Sequence, residues 1–403
     1  MKKRILVITT TYPRWKNDTD PPFVFELCKR LTDDFEIHVL TPCYPGSVEN
    51  EVMDGVKVRR FRYFLRKYEK LAGSIGILPT LNNNKLYYFV IPFFLFFSLV
   101  SLFKAIRDVK PDLIHAHWTI PLGIFAAFAK TITHVPYVVT AHGADVFGLR
   151  GAFWTFMRRY VMRNASAVTA VSNALKDSLK MCHSLSDVKV VPMGVDSSLF
   201  ASSSRITNQE NRSDPTPTHR ILYIGRLTEK KGVIYLIRAM RKIVEQKQNI
   251  TLSIVGSGEL ENLLRDEVKK LSLSQYVNFC GAVTNHELPS LYAQHEMFVA
   301  PSIKAKGGDT EGFGLTLVEA NMGGCLVIAS QVGGIVDIIE NGETGLLVRE
   351  KDPADIAEKV IYAMDNPDEA KRIASKGQEM AKARFDWFVI SQRYASILHD
   401  ACN

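Results

Sequence analysis

Ile221-Leu222-Tyr223-Ile224-Gly225-Arg226-Leu227-Thr228-Glu229-Lys230-Lys231-Gly232 reads as a buried strand, a glycine turn and the beginning of a helix. The apolar run is too short for a helix and has the β-branched and aromatic content of a strand covered on both faces. Arg226 and Lys231 fall near the helix start, where backbone N–H groups and the helix dipole favour an anion. A diphosphate is the expected guest. On its own the motif reads more readily as an ordinary strand-to-helix turn with two surface cations.

Moving outward, the same alternation of short apolar runs and helical patterns recurs along the chain. Strands are expected at 4–9, 37–41, 112–116, 136–141 and 167–171, then at 220–225, 250–255, 276–280, 297–300 and 325–329. Such alternation predicts an α/β protein with parallel sheets built from βαβ units. The expected division is 1–195 as a first Rossmann-like domain, 196–219 as a polar, proline-broken linker, and 220–384 as a second such domain. Residues 385–403 are expected to form a helix that packs on either domain.

Charge separates the two halves. The net charge is +8, but residues 1–190 carry 26 Lys and Arg against 15 Asp and Glu, whereas 191–403 carry 24 against 27. An excess of cations on one half implies an anionic partner there, nucleic acid or a membrane surface. Nucleic-acid motifs are lacking, which leaves the membrane. Arg59-Arg60-Phe61-Arg62-Tyr63-Phe64-Leu65-Arg66-Lys67-Tyr68 interleaves cations with aromatics, and residues 87–103 are the most apolar stretch of the chain. The second stretch reads as a buried domain helix or as one that also touches lipid, and less well as a membrane span, being slightly short for one and containing Pro92. The first reads as a solvated edge strand and turn or as a docking patch for an anionic membrane, and residues 59–70 and 87–103 together are the expected contact. Six scattered cysteines with no C-x-x-C pair argue against zinc and a disulfide framework. The short apolar run after Met1-Lys2-Lys3-Arg4 reads as a first strand, not a signal peptide. A cytoplasmic protein is expected, either free or peripheral on the inner face of the membrane.

Glu311-Gly312-Phe313-Gly314-Leu315-Thr316-Leu317-Val318-Glu319 places two glutamates eight apart around a glycine turn that leads into a helix. Gly312 and Gly314 permit close backbone approach to a ligand, and Glu319, about a turn into the helix, can accept hydrogen bonds from a ribose diol. Glu311 sits on the loop, within reach of a hexose. In the first half, Thr140-Ala141-His142-Gly143-Ala144-Asp145 puts His142 and Asp145 just past a strand's C-terminal end, the edge at which open α/β sheets bind ligands.

At these residues the chain resembles the retaining glycosyltransferases of family 4, which have the GT-B fold of two Rossmann-like domains facing across a cleft. The family's E-x7-E element matches Glu311 and Glu319, its G-R-L-x-x-x-K-G element matches Gly225 to Gly232, and its H-G-x-D element matches His142 to Asp145. The resemblance implies a metal-independent hexosyltransferase with no cofactor, using a UDP- or GDP-sugar and a saccharide or lipid-linked saccharide acceptor in polysaccharide, lipopolysaccharide or other envelope glycan synthesis. Arg226 and Lys231 would bind the donor diphosphate, Glu319 the ribose and Glu311 the transferred sugar. Phe313, Gly314, Leu315 and Thr316 would complete the donor site, with Gly256, Gly258 and Val283 lining the base pocket. His142 would face the anomeric centre, and Asp145 would help place sugar or acceptor. Tyr12 and the loop after the first strand would shape the acceptor pocket. One departure stands out: many family members carry glycine in that loop, whereas this chain has Asp20-Pro21-Pro22, and proline donates no hydrogen bond to a phosphate.

Two patterns look like metal sites and are discounted. His115-Ala116-His117-Trp118 puts two histidines on one strand face without a carboxylate or cysteine cluster, and Asp18-Thr19-Asp20 reads as loop solvation. Competing classes are a nucleotide-sugar epimerase or hydrolase on the same fold and a non-catalytic nucleotide-sugar-binding protein. The first half has no catalytic carboxylate set to favour the former, and His142, Arg226, Lys231, Glu311 and Glu319 are all present against the latter. A dehydrogenase would need the third glycine that Gly256-x-Gly258 lacks.

Overall fold

Helices alternate with strands throughout, and the strands collect into two sheets. The computed structural model describes residues 2–15, 18, 22–73, 76–182, 187–201 and 219–403. Most of the expected linker (202–218) and Thr19, Asp20 and Pro21 of the proline loop lie outside the described residues. By contacts the chain divides into Met1–Gly194 together with Trp387–Asn403, and Val195–Asp386.

The first unit contains β1 (Arg4–Ile8), β2 (Glu36–Pro42), β3 (Asn50–Met53), β4 (Val56–Phe61), β5 (Leu113–His117), β6 (Tyr137–Ala141), β7 (Ala167–Ala170) and β8 (Val188–Val190). They form one sheet in the order β3-β4-β2-β1-β5-β6-β7-β8, parallel except for β3, which runs antiparallel to β4 at the edge. The second unit contains β9 (His219–Ile224), β10 (Ile250–Val255), β11 (Val277–Gly281), β12 (Met297–Ala300), β13 (Leu326–Ser330) and β14 (Leu346–Val348), ordered β11-β10-β9-β12-β13-β14 and all parallel. All ten expected strands are present. β5, β6, β12 and β13 are buried at every position, which is why they read as unbroken apolar runs. The unforeseen strands β3, β4, β8 and β14 are short or alternate with polar residues.

The helix Trp387–Ala401 belongs to the first unit. Its Tyr394 hydroxyl donates to Val191 O at 2.9 Å, Trp387 lies under the Arg30 guanidinium, and His399 packs on Phe35 with ring centroids 4.4 Å apart. The helix Ile91–Val109 buries one stripe, Phe94, Ser98, Leu102, Ala105 and Ile106, at helical spacing. With the preceding turn, Lys85–Val109 is long and apolar enough to cross a membrane by length and composition, but its apolar side chains divide between that buried stripe and an exposed face carrying Phe89, Phe93, Phe96 and Val100.

Structure also sorts the basic run at 59–67, whose charges are not one surface patch. Arg60 is buried on β4, a strand paired on both sides, and donates to Val48 O at 2.6 Å and Pro13 O at 2.7 Å as well as to the Glu51 carboxylate. Arg62 pairs with buried Glu69, which also accepts the Tyr63 and Phe64 backbone N–H groups. Arg59 pairs with Asp108 at 2.9 Å. Arg66, with its side chain 82% exposed, and Lys67 remain at the surface. Nor is Asp18 a solvated loop residue: it is buried and takes the Arg14 backbone N–H at 2.9 Å and its guanidinium Nε at 2.7 Å.

Arg60→Ala removes the buried donor to the Val48 and Pro13 carbonyls and to the half-buried Glu51 carboxylate, so it should cost about 1–3 kcal/mol. Arg66→Ala should stay within about 0.5 kcal/mol. Urea unfolding of the two variants side by side checks this contrast, and equal effects would contradict the buried placement.

Candidate functional site

In the second unit the strand order reverses at β9, with β10 on one side and β12 on the other. Numbered from β9 the order is 3-2-1-4-5-6, the doubly wound arrangement whose ligands sit beyond the carboxyl ends of the two strands at the reversal. The loops after β9 and β12 meet there. Ile303 N–H bonds to Lys230 O at 2.7 Å, Lys230 pairs with Asp309 at 3.0 Å, and the Lys231 ammonium is hydrogen-bonded to the Glu311 carboxylate. Burial pushes the Glu311 carboxyl up, but Lys231, backed by Lys230 and Arg226, outweighs it and holds the group below its ordinary range. Arg226 is exposed on the same loop, whose backbone is braced by the Tyr223 hydroxyl donating to Arg226 O at 3.0 Å.

Gly314 takes φ +102 and caps the helix Leu315–Met322. Leu315 and Thr316 are its first residues, so their N–H groups belong to the turn that has no intrahelical acceptors. One turn on, Glu319 Oε2 lies 2.9 Å from the Tyr292 hydroxyl, and burial pushes this carboxyl up to about 7. The two glutamates of the motif are therefore driven in opposite directions by their surroundings, a separation that assigns different tasks to like groups.

Other expected donor residues do different work. Gly256 has φ +131, and a Cβ there would sit 2.0 Å from Gly225 O; its N–H is already given to Gly281 O at 2.8 Å. Gly258 similarly lies against the Leu227 backbone, where a Cβ would come within 2.5 Å. These glycines seat the loop after β10 against the loop that carries Arg226, and the Gly256 amide is not offered to a ligand. Phe313 is buried with its ring 5.5 Å from that of Phe385, a core contact. Val283 is half-buried on the loop after β11.

The first unit reverses its strand order at β1, between β2 and β5. Past the end of β5, Trp118 adopts φ +72, uncommon for a bulky residue and costly unless neighbours enforce it. Asp145 is one of those neighbours. Its Oδ2 accepts Thr119 N–H at 2.7 Å and the Thr119 hydroxyl at 2.9 Å, while Oδ1 accepts His142 N–H at 3.2 Å and Gly143 N–H at 3.0 Å. The carboxylate expected to reach toward sugar or acceptor is instead turned inward, clamping the turns after β5 and β6 together. His142 rests in an aromatic niche, with ring centroids 4.7 Å from Trp118 and 5.3 Å from Phe23, and its Nε2 lies 2.9 Å from His117 Nδ1. Burial and the neighbouring His115 drive His142 down to about 3, so the ring is neutral, although the residue keeps some surface open to solvent. Tyr12 is buried, its ring edge-on to Phe25, and its hydroxyl has no hydrogen-bond partner among the described residues.

His115 and His117 share one strand face, as their spacing requires, with ring centroids 4.3 Å apart, and among the described residues no group of three His, Cys, Asp or Glu is arranged to hold a metal ion. Sequence reasoning missed Trp118, Thr119 and Tyr292 as site residues. The first two directly follow the His-Ala-His run, which was the available signal; Tyr292 is 27 residues from Glu319 and had none.

Two family models match the chain, Glycosyltransferase Family 4 over residues 22–199 and Glycosyl transferases group 1 over residues 204–380. Among similar proteins, an uncharacterized glycosyltransferase of Methanocaldococcus jannaschii, MJ1178, is 27% identical over 365 residues, covering 90% of this chain and 89% of its own. The capsular polysaccharide biosynthesis glycosyltransferase CapM of Staphylococcus aureus is 27% identical, covering 76% of this chain and 83% of its own. The crystal structure of Anabaena Alr3699/HepE in complex with UDP and glucose superposes with a TM-score of 0.74 at 20% identity, covering 98% and 99% of the two chains. The protein belongs to the family 4, group 1 glycosyltransferases and has their GT-B fold.

A carboxyl raised from 4.5 to about 7 on folding stays neutral in the native state while the unfolded chain ionises. Its contribution to stability is therefore whole below pH 4.5 and is lost as pH climbs to about 7, then levels off. Glu319→Gln should consequently gain on the wild type across that window and no further above it; parallel melting curves at a series of pH values would reveal a flat difference if Glu319 were not raised.

Proposed function

We propose that the protein is a retaining, metal-independent hexosyltransferase that moves a sugar from a UDP- or GDP-sugar to a saccharide or lipid-linked saccharide during polysaccharide, lipopolysaccharide or other envelope glycan synthesis. The observation that carries this reading is the second unit's switch point, where exposed Arg226, the Lys231–Glu311 pair and the opening turn of the helix Leu315–Met322 occur together. The name of CapM, a capsular polysaccharide enzyme, supports the glycan class, and the UDP and glucose bound by HepE support a uridine donor.

In this mechanism Arg226, Lys231 and the Leu315 and Thr316 amides stabilise the charge that builds on the departing diphosphate as the C1–O bond breaks. Glu311 orients the sugar and Glu319 accepts from the ribose diol. A donor diphosphate competes with Glu311 for Lys231, so binding exchanges one partner of the lysine for another without leaving it unpaired. Retention by double displacement would need a second free carboxylate about 5 Å from the first. The carboxylate beside His142, Asp145, is already committed to four hydrogen bonds, which supports same-face attack with the leaving phosphate taking the acceptor proton. His142, neutral, stabilises and is not a nucleophile.

For the acceptor side we propose a cytoplasmic enzyme that docks peripherally on the inner face of the membrane. Phe89 (77% exposed), Leu86, Leu65, Phe93 and Phe96 form the apolar contact, with Arg66, Lys67, Lys70 and Lys85 as exposed cations nearby in sequence. Charges near an anionic leaflet contribute about 1 kcal/mol each.

Two measurements test these proposals. A panel of nucleotide sugars screened by thermal shift in EDTA should give one donor that stabilises the protein by about 2–3 kcal/mol at a hundredfold excess over its Kd, and Glu319→Ala should abolish the response. Stabilisation that appeared only with added divalent metal would remove the metal-free reading. In vesicle co-sedimentation, neutralising Arg66, Lys67, Lys70 and Lys85, or replacing Phe89 and Phe96 by serine, should weaken binding to phosphatidylglycerol vesicles at least about tenfold; unchanged binding in both variants would rule out the docking surface.

A further inference from the structure

We propose that His117 is a positioning residue that donates its Nδ1 proton to His142 Nε2 and thereby fixes His142 as the Nδ1–H tautomer, so that His142 acts as a hydrogen-bond donor and not as a base. The role of the donor at a sugar rests on the transferase reading above; the tautomer does not.

His117 Nδ1 and His142 Nε2 are 2.9 Å apart, and the ring planes are inclined by only 24°, which lets the bond lie close to the plane of both rings, where imidazole N–H groups and lone pairs point. Each neutral imidazole has one donor and one acceptor nitrogen. Both rings are neutral: His117 is wholly buried, and burial together with the adjacent His115 and His142 rings holds it far below its ordinary range. One ring must therefore donate and the other accept.

The direction follows from the remaining nitrogen. His117 Nε2 is buried and without a hydrogen-bond partner among the described residues. If His117 accepted at Nδ1, its single proton would sit on Nε2 as a buried, unpaired N–H, and orphaned donors of that kind are rarer than underused acceptors. His115 obeys the same rule. Its Nδ1 is buried without a partner, and its Nε2 is 2.8 Å from the Thr140 hydroxyl, which is in turn 2.7 Å from that of Thr169. Placing the proton on Nε2 lets His115 donate to Thr140 and Thr140 to Thr169, again leaving the unpartnered nitrogen as the bare acceptor.

With Nε2 of His142 occupied as an acceptor, the ring's proton is on Nδ1. The nitrogen that could abstract a proton is in use, and the one left to meet a substrate already carries a hydrogen. A neutral imidazole held in this way polarises an oxygen by donating to it. Asp145 fixes the His142 backbone by accepting its N–H, and His117 fixes the ring. The two buried groups together leave one usable orientation.

The test uses the full chain labelled with 15N-histidine. Long-range 1H–15N correlation, with His142 assigned by the spectrum of His142→Gln, should show a protonated Nδ1 and a bare Nε2 in the wild type at pH 7. A proton on Nε2 would overturn the proposal without any variant being made. His117→Asn, which keeps an amide donor near the Nδ1 position, should retain this signature. His117→Leu should give mixed tautomers and lower kcat about tenfold, the size of one hydrogen bond's orientation, with KM for the donor sugar little changed. A His117→Leu protein that melts like the wild type and keeps a pure Nδ1–H His142 would also overturn it. Failure of every donor sugar to react would count against the transferase reading alone, since the tautomer is read in the absence of substrate.

Discussion

Both units depend on one topological constraint. In a parallel sheet each strand's carboxyl end continues into a loop and a helix, and where the strand order reverses, neighbouring loops are led to opposite faces and a space opens between them. The reversal falls at β9 in the second unit and at β1 in the first. Lys231 and Glu311 lie on the two loops flanking the second reversal, 80 residues apart in sequence. Once that order is set, the cation and the carboxylate have to meet.

Electrostatics then differentiates residues that look alike. Glu311 lies beside three cations and is held as a carboxylate, while Glu319 has a tyrosine hydroxyl and burial for company and rises to about 7. The same distinction separates Asp145 from a ligand-binding carboxylate: its oxygens are spent on backbone N–H groups whose pairing keeps Trp118 at its uncommon dihedral and His142 at the strand end. It also separates Arg60, which satisfies the loop carbonyl oxygens of Pro13 and Val48, from Arg66, which extends into solvent. Charge is easily counted along a chain, but what a charge does depends on which groups surround it.

The strands buried on both faces were legible because burial on two sides demands apolar residues without interruption, and the paired motifs were legible because phosphate and sugar chemistry restrict the residue types that serve it. The strands β3, β4, β8 and β14 were not legible, since β3 and β4 mix polar and charged residues with apolar ones and β8 and β14 have only three residues each. The glycines misled in a particular way. Gly256-x-Gly258 signals close backbone approach, which is correct, but the approaching backbone is the protein's own Gly225 to Leu227 segment and not a ligand.

By itself, then, the sequence determined the class of fold, through the periodicity of its buried strands, and, through motifs that resemble those of a known family, the family and the short set of residues on which the chemistry turns. Only the tertiary structure decided which of those residues stay free to act. Hydrogen bonds are made between groups distant in the chain, as Asp145 is to Thr119, His142 to His117 and Glu319 to Tyr292, and no local pattern records whether a donor or acceptor has already been taken.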